Sequence, residues 1–209
     1  MNTNYYLIKP SSEGCYPQVD CEDIPTIQLI KAWNMYPDGL FTLDFTLKKR
    51  AIITDVLSKI GGPVTDFLIN EKFKSIISNC KIMKHQFFDA SIKTKKGVLS
   101  YSLLHLSQTD LVNYIDYGNS LFSETEWTFE KCPLKLSSYE DFTLLQSKDK
   151  EGKFGVSIKK LVMNEHFDRS IDMFFLYPFE VKVYVSERMK ALIENNNITG
   201  LNFVEKISI

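Results

Sequence analysis

Residues 183–203 read V-Y-V-S-E-R-M-K-A-L-I-E-N-N-N-I-T-G-L-N-F, an order of side chains that predicts strand, cap, helix, turn and strand. Val183, Tyr184 and Val185 are β-branched or aromatic, as strand residues tend to be. Ser186 follows as an N-cap, whose hydroxyl can accept from a backbone N–H of the first helical turn. Glu187 then complements the positive end of the helix. Met189, Leu192 and Ile193 recur at helical spacing and predict one buried face. The Asn195-Asn196-Asn197 run ends the helix, Gly200 supplies a turn, and residues 201–207 make a closing strand.

The same pattern occurs earlier. Residues 67–87 read F-L-I-N-E-K-F-K-S-I-I-S-N-C-K-I-M-K-H-Q-F, with Asn70 as cap and Glu71 in the first turn. Phe73, Ile76, Ile77 and Cys80 fall on one helical face. Laid over each other without gaps, the segments agree at Glu71/Glu187, Lys74/Lys190, Ile77/Ile193, Asn79/Asn195, Ile82/Ile198 and Phe87/Phe203. Either the chain holds a diverged internal duplication, or two β–cap–α–β units converged on similar chemistry.

Around these units the pattern is mostly strand. Residues 5–9 (YYLIK) predict an opening strand closed by Pro10. Residues 11–39 carry Pro17, Pro25 and Pro37 and read as an ordered loop, with a helix turn or short strand over 26–33. Residues 41–45 alternate as a strand does, and residues 51–60 place Ile52, Ile53, Val56 and Ile60 at helical spacing before Gly61-Gly62-Pro63. Residues 81–93 and 98–107 predict a hairpin around Lys95-Lys96-Gly97, and residues 110–117 a short helix capped by Thr109 or Asp110. Further strands are expected over 124–129, 142–145, 156–163, 171–177 and 181–185. The expected fold is α+β: a mixed or antiparallel sheet with two or three amphipathic helices around two related β–α–β units. Residues 1–209 are read as a single domain, or as two lobes meeting near 118–123.

Composition sets the class. The chain has 209 residues, 44% hydrophobic and 24% charged, with 25 Lys plus Arg against 26 Asp plus Glu. A chain of that size buries roughly 70% of its unfolded surface, enough for a core without staples. The near-neutral charge argues against tracking nucleic acid by charge alone, and no nucleic-acid partner is expected. Residues 1–10 show no secretory signal, and the longest apolar runs fall far short of the ~20 residues that span a bilayer. Cytoplasmic residence is therefore expected, with no membrane partner and with Cys15, Cys21, Cys80 and Cys132 reduced. A Cys15–Cys21 bridge is the one local pairing the spacing allows.

No catalytic motif emerges. His85, His105 and His166 form no metal-ligand spacing with each other or with a cysteine, so neither metal nor cofactor is expected. His85 and His105 read as hydrogen-bonded sheet residues that the hairpin would bring near each other. His166 lies in a polar turn, Asn164-Glu165-His166-Phe167-Asp168. No nucleophile elbow or phosphate loop is present. Glu124, Glu126, Glu130 and the pair Glu140-Asp141 read as a solvated sheet face. They could do acid–base work only with pKa values pushed apart by the fold.

Binding features are commoner. Aromatic residues reach 13%, and Tyr16, Tyr36, Tyr117 and Tyr139 fall in loops, either as interface anchors or tucked into the core. The leading candidate surface is residues 123–130 (SETEWTFE), read as one strand with Glu124 and Glu126 opposite Trp127 and Phe129. The second is the acidic loop of Asp20, Glu22 and Asp23, with Trp33 and Tyr36 nearby. Either would suit a basic cleft on a partner protein.

The segment 183–203 resembles the ending of a family of bacterial immunity proteins of polymorphic toxin systems, long catalogued as a domain of unknown function with a myxobacterial type member. Members begin with a tyrosine-rich strand, as Tyr5-Tyr6-Leu7 does here. They carry a D-F-L run before a central helix, matched by Asp66-Phe67-Leu68, and an aspartate then a serine after the middle hairpin, matched by Asp116 and Ser120. They close on V-S-E and T-G-L-x-F, matched by Val185-Ser186-Glu187 and by Thr199-Gly200-Leu201 with Phe203. Asn70 stands where the family's central helix often starts with serine, and residues 11–39 do not align. The resemblance implies a protein that binds and neutralises a cognate toxin by stoichiometric occlusion, with no catalytic residues to carry over. The competing readings are a small-molecule enzyme using carboxylates and a histidine such as His166, and a scaffold module of a phage or secretion particle.

Overall fold

A computed structural model of the chain describes residues 4–208 except 12–13, 23, 32–33, 38–40, 64, 108–109 and 128. In chain order the elements are β1 (Asn4–Pro10), β2 (Val19–Cys21), α1 (Ile24–Leu29), β3 (Thr42–Leu47), β4 (Val56–Leu57), β5 (Phe67–Ile69) and α2 (Glu71–Ile77). The hairpin β6 (His85–Thr94) and β7 (Gly97–Leu106) follows, then a 3-10 helix (Asp110–Tyr114), β8 (Leu121–Glu126), β9 (Phe129–Leu134) and α3 (Tyr139–Lys148). The chain closes with β10 (Phe154–Lys160), β11 (Met173–Phe175), β12 (Val183–Ser186), α4 (Glu187–Asn195) and β13 (Leu201–Ser208). This is a mixed α+β fold dominated by strands, arranged as β11-β12-β1-β13, β10-β8-β9 and β2-β3-β6-β7-β5-β4.

The two similar segments adopt the same topology. In each, a helix links two strands that run alongside a third strand antiparallel to both: β5 and β6 flank β7, and β12 and β13 flank β1. A short strand extends the sheet beyond the first of the pair, β4 in one case and β11 in the other. The register also agrees, since Leu104 pairs with Phe67 and Phe87 while Ile8 pairs with Val183 and Phe203. Asn70 Oδ1 accepts from Phe73 N and Ser186 Oγ from Met189 N, and the buried helix residues are Phe73 and Ile77 in one, Met189 and Ile193 in the other.

An aspartate directly before the short strand ties each unit to the other. Asp55 accepts from the Asn70 side chain at 2.8 Å, from Lys72 at 3.5 Å, and from Thr199 N at 2.8 Å in the turn after α4. Asp172 accepts from Ser186 Oγ at 2.7 Å, from the Arg188 guanidinium, and from Lys81 N at 2.8 Å in the turn after α2. Each carboxylate thus braces its own helix cap and holds the far turn of the other unit. Both carboxyls lie below their ordinary range: burial pushes them up, but the converging donors outweigh it.

The turn around Gly200 shows how tight this joint is. Gly200 has φ +89°, and a Cβ there would lie 2.0 Å from the Val56 carbonyl oxygen. Gly200→Ala is expected to cost more than about 2 kcal/mol, from left-handed strain plus backbone displacement, read as a lowered urea midpoint. An unchanged midpoint would show that the turn opens freely.

Two cores result. The larger gathers Tyr5, Phe73, Phe142, Phe174 and Met189, whereas the smaller packs Ile27 and Ile30 against Phe45, Leu68, Phe88 and Leu103. The six-stranded sheet lies between them, so in β5 Phe67 and Ile69 enter one core and Leu68 the other.

Three expected elements are corrected. Residues 51–60 form no helix: Val56 and Leu57 pair with β5, and Ile52, Ile53 and Ile60 are exposed. Pairing of Val56 and Leu57 with β5 overrides a chance helical spacing. Residues 142–145 lie in α3, because Ser138 Oγ accepts from Asp141 N and nucleates a helix, putting Glu140 and Asp141 in its first turn. Residues 124–129 are not one strand, for the chain turns at Trp127 and returns as β9. The expected short helix over 110–117 is a 3-10 helix ending at Tyr114, and Thr109 lies outside the described residues.

Candidate functional site

Among the described residues, the β8–β9 hairpin carries the most exposed large apolar side chain, Phe129. Glu126 pairs with Phe129, and the chain turns at Trp127 between them. Trp127 takes φ 58°, left-handed backbone that side chains other than Gly, Asn and Asp seldom adopt, and its N–H donates to Lys153 O at 2.8 Å. A bulky indole in that position is 65% exposed, beside Phe129 at 76% and with Leu121 at 59%.

Charged pairs frame these residues. Glu126 pairs with Lys131 and Glu130 with Lys159, and the ammonium beside each carboxyl holds it below the usual range. Strand β9 is the edge of its sheet and is exposed along residues 129–133. Lys131 and Pro133 blunt that edge against pairing with another strand. At the base of the hairpin a cavity of about 620 Å3 opens among Tyr117, Leu121, Phe122, Leu134, Leu136 and Lys159. Its apolar walls suit an inserted apolar side chain, and Phe122 stacks on Tyr117 with centroids 5.6 Å apart.

The other sequence candidates have roles within the fold. Asp20 pairs with Lys48 at 3.1 Å and Glu22 with Lys93 at 2.5 Å, while Asp23 and Trp33 lie outside the described residues. Tyr36 is an anchor: its ring packs on Phe41 at 5.1 Å and its hydroxyl donates to Leu29 O and accepts from Lys31 N. Tyr117 and Tyr139 likewise pack on Phe179, leaving Tyr16 as the exposed tyrosine of the four. Asp116 O accepts from Ser120 N at 2.9 Å, and Ser120 Oγ accepts from Val162 N at 3.0 Å, so both shape the approach to β8. Glu187 accepts from Asn4 and Tyr6, and Phe203 packs edge-on to Tyr6 with Lys190 4.3 Å above the Tyr6 ring.

The histidines divide. His166 is exposed, 3.7 Å from Glu165. His85 and His105 sit one register apart across the hairpin, which sends them to opposite faces. His105 is fully buried, with Nδ1 at 3.0 Å from Asp66 Oδ2 and Nε2 at 2.9 Å from Asn34 O. Burial pushes the Asp66 carboxyl up. It works against the charged imidazole of His105, yet the Asp66 contact raises the imidazole overall. Sequence spacing gave no sign of this pair, whose members are far apart in the chain.

Among the described residues no cluster of His, Cys, Asp or Glu is placed to hold a metal ion, none of the four cysteines is in a disulfide, and no helix is long and apolar enough to cross a membrane. The chain matches neither a known protein family nor a curated protein.

Proposed function

We propose that this chain is an immunity protein that binds a cognate bacterial toxin domain in the cytoplasm and occludes it stoichiometrically. The observation that carries the reading is the hairpin tip, where Trp127 and Phe129 are held in solvent on a paired framework. An aromatic kept exposed in left-handed backbone serves the fold poorly, whereas at an interface it supplies a buried anchor. Charge pairs around it form the polar rim of a standard interface of about 1,600 Å2. The partner class comes from the resemblance of residues 183–203 and 66–68 to immunity proteins. We read the two β–α–β units as diverged copies of one ancestral unit, on the strength of their shared order, register, caps and bracing aspartates.

The test is protection. Co-expressed with the toxin domain encoded beside its gene, the wild-type chain is expected to restore growth and to co-purify with that domain in equal amounts. Failure of the wild type to protect would sink the reading.

A further inference from the structure

After β4 the chain runs Lys59-Ile60-Gly61-Gly62-Pro63 and turns on two glycines with φ +90° and +65°. These press so closely on Ile27 that a Cβ would lie 2.9 Å from it at Gly61 and 3.1 Å at Gly62. The tight turn aims two carbonyls inward, and the Lys59 ammonium donates to Gly61 O at 2.7 Å and Pro63 O at 3.1 Å. Two of its three N–H donors are so used, and the third has no partner among the described residues.

Beside the ammonium is a cavity of about 230 Å3, walled by Pro10, Tyr16, Leu57 and Ile60, with Lys59 and Asp66 as its polar residues. Asp66 is held from behind by His105, both of whose ring nitrogens face acceptors. With an acceptor facing each ring nitrogen, His105 can donate from both, and an imidazolium so placed would balance the Asp66 carboxylate. With both nitrogens committed, His105 fixes Asp66 and has no site left to exchange a proton with a ligand. Lys59 is the cation facing the cavity, and burial disfavours its ammonium form by more than the nearby Asp66 charge restores it.

We propose that this cavity binds a small monocarboxylate with a short apolar body. Its carboxylate would accept the free N–H of Lys59, and its body would lie against Pro10, Leu57, Ile60 and Tyr16. One available donor and apolar walls favour a carboxylate over phosphate, which needs several donors. His105 behind Asp66 offsets the carboxylate charge that an approaching anion would meet. None of these residues belongs to the β8–β9 hairpin, so the site stands independently of toxin binding.

The test is an NMR titration of the full chain at neutral pH, following the amides of Ile60, Gly61 and Gly62. The probes are isovalerate, its uncharged analogue isovaleramide, and inorganic phosphate. Isovalerate is expected to give saturable shifts, with isovaleramide about tenfold weaker or more. Lys59→Met is expected to weaken isovalerate by a similar factor. If that variant fails to fold, the acid–amide comparison on the wild type decides alone. Absent shifts with isovalerate, equal affinity for acid and amide, undiminished binding in a folded Lys59→Met, or tighter binding of phosphate would each overturn the proposal.

Discussion

Asp172→Ala is expected to lower the unfolding free energy by about 3 kcal/mol, one of the largest single losses available outside the apolar core. The Asp172 side chain is 2% exposed and accepts from Ser186 Oγ, Lys81 N and Arg188. Truncation strands the Ser186 hydroxyl in a buried setting and the Lys81 N–H in a partly buried one. Arg188 is 59% exposed and can turn to water, which keeps the loss below that of a fully buried ion pair. The pH dependence has a defined sign. The folded-state pKa lies below the ordinary 3.8 because the Arg188, Ser186 and Lys81 donors together outweigh burial. The bracing is therefore fully present above the unfolded value and is lost as pH falls through the folded one. Urea titrations should show a constant gap between wild type and Asp172→Ala from pH 6 to pH 8, closing below about pH 4. A gap that persists unchanged into acid would show that the carboxylate charge does not matter.

Trp127→Ala and Phe129→Ala are each expected to weaken binding of the toxin domain by about 30- to 1,000-fold, or roughly 2–4 kcal/mol, while leaving the fold intact. Both side chains are mostly exposed, so little burial is lost in the free protein. Trp127→Gly separates the two effects further. It relieves the left-handed strain and should raise stability by about 1 kcal/mol, yet bind as poorly as Trp127→Ala. Calorimetric titration with the purified toxin domain, paired with urea midpoints, reads both quantities. Affinities of all three variants within twofold of wild type would remove the hairpin from the interface.

Local chemistry made the two β–α–β units legible. Asn70 and Ser186 are caps by residue type, and the spacing of Phe73 with Ile77 and of Met189 with Ile193 marks the buried helix faces. The sheet order was not legible, because strands far apart in the chain meet only through burial. Residues 51–60 misled because their apolar spacing suits a helix, whereas Val56 and Leu57 are recruited by β5. Residues 142–145 misled in the opposite direction, since alternation over four residues is weaker than the cap at Ser138. In the candidate site the residues were visible but their geometry was not. Trp127 lacks the Asn-Gly or Asp-Gly signature of a two-residue hairpin, so residues 123–130 read as a straight strand. The cavity at Lys59 gave no signal, because its parts come from four separate stretches of chain.

The position of β1 bears on how the molecule comes to be folded in the cell. Residues 4–10 pair on one side with residues 183–186 and on the other with residues 201–208. A ribosome makes the first of these segments long before its partners, so this sheet closes only after residues 183–208 have emerged. The β4–β7 unit, whose strands are neighbours in sequence, can assemble during elongation. Tyr5, Leu7 and Ile8 must meanwhile wait without the partners that bury them, at a time when chaperones have access to them. Synthesis rate and chaperone supply, more than final stability, should therefore govern the yield of active protein.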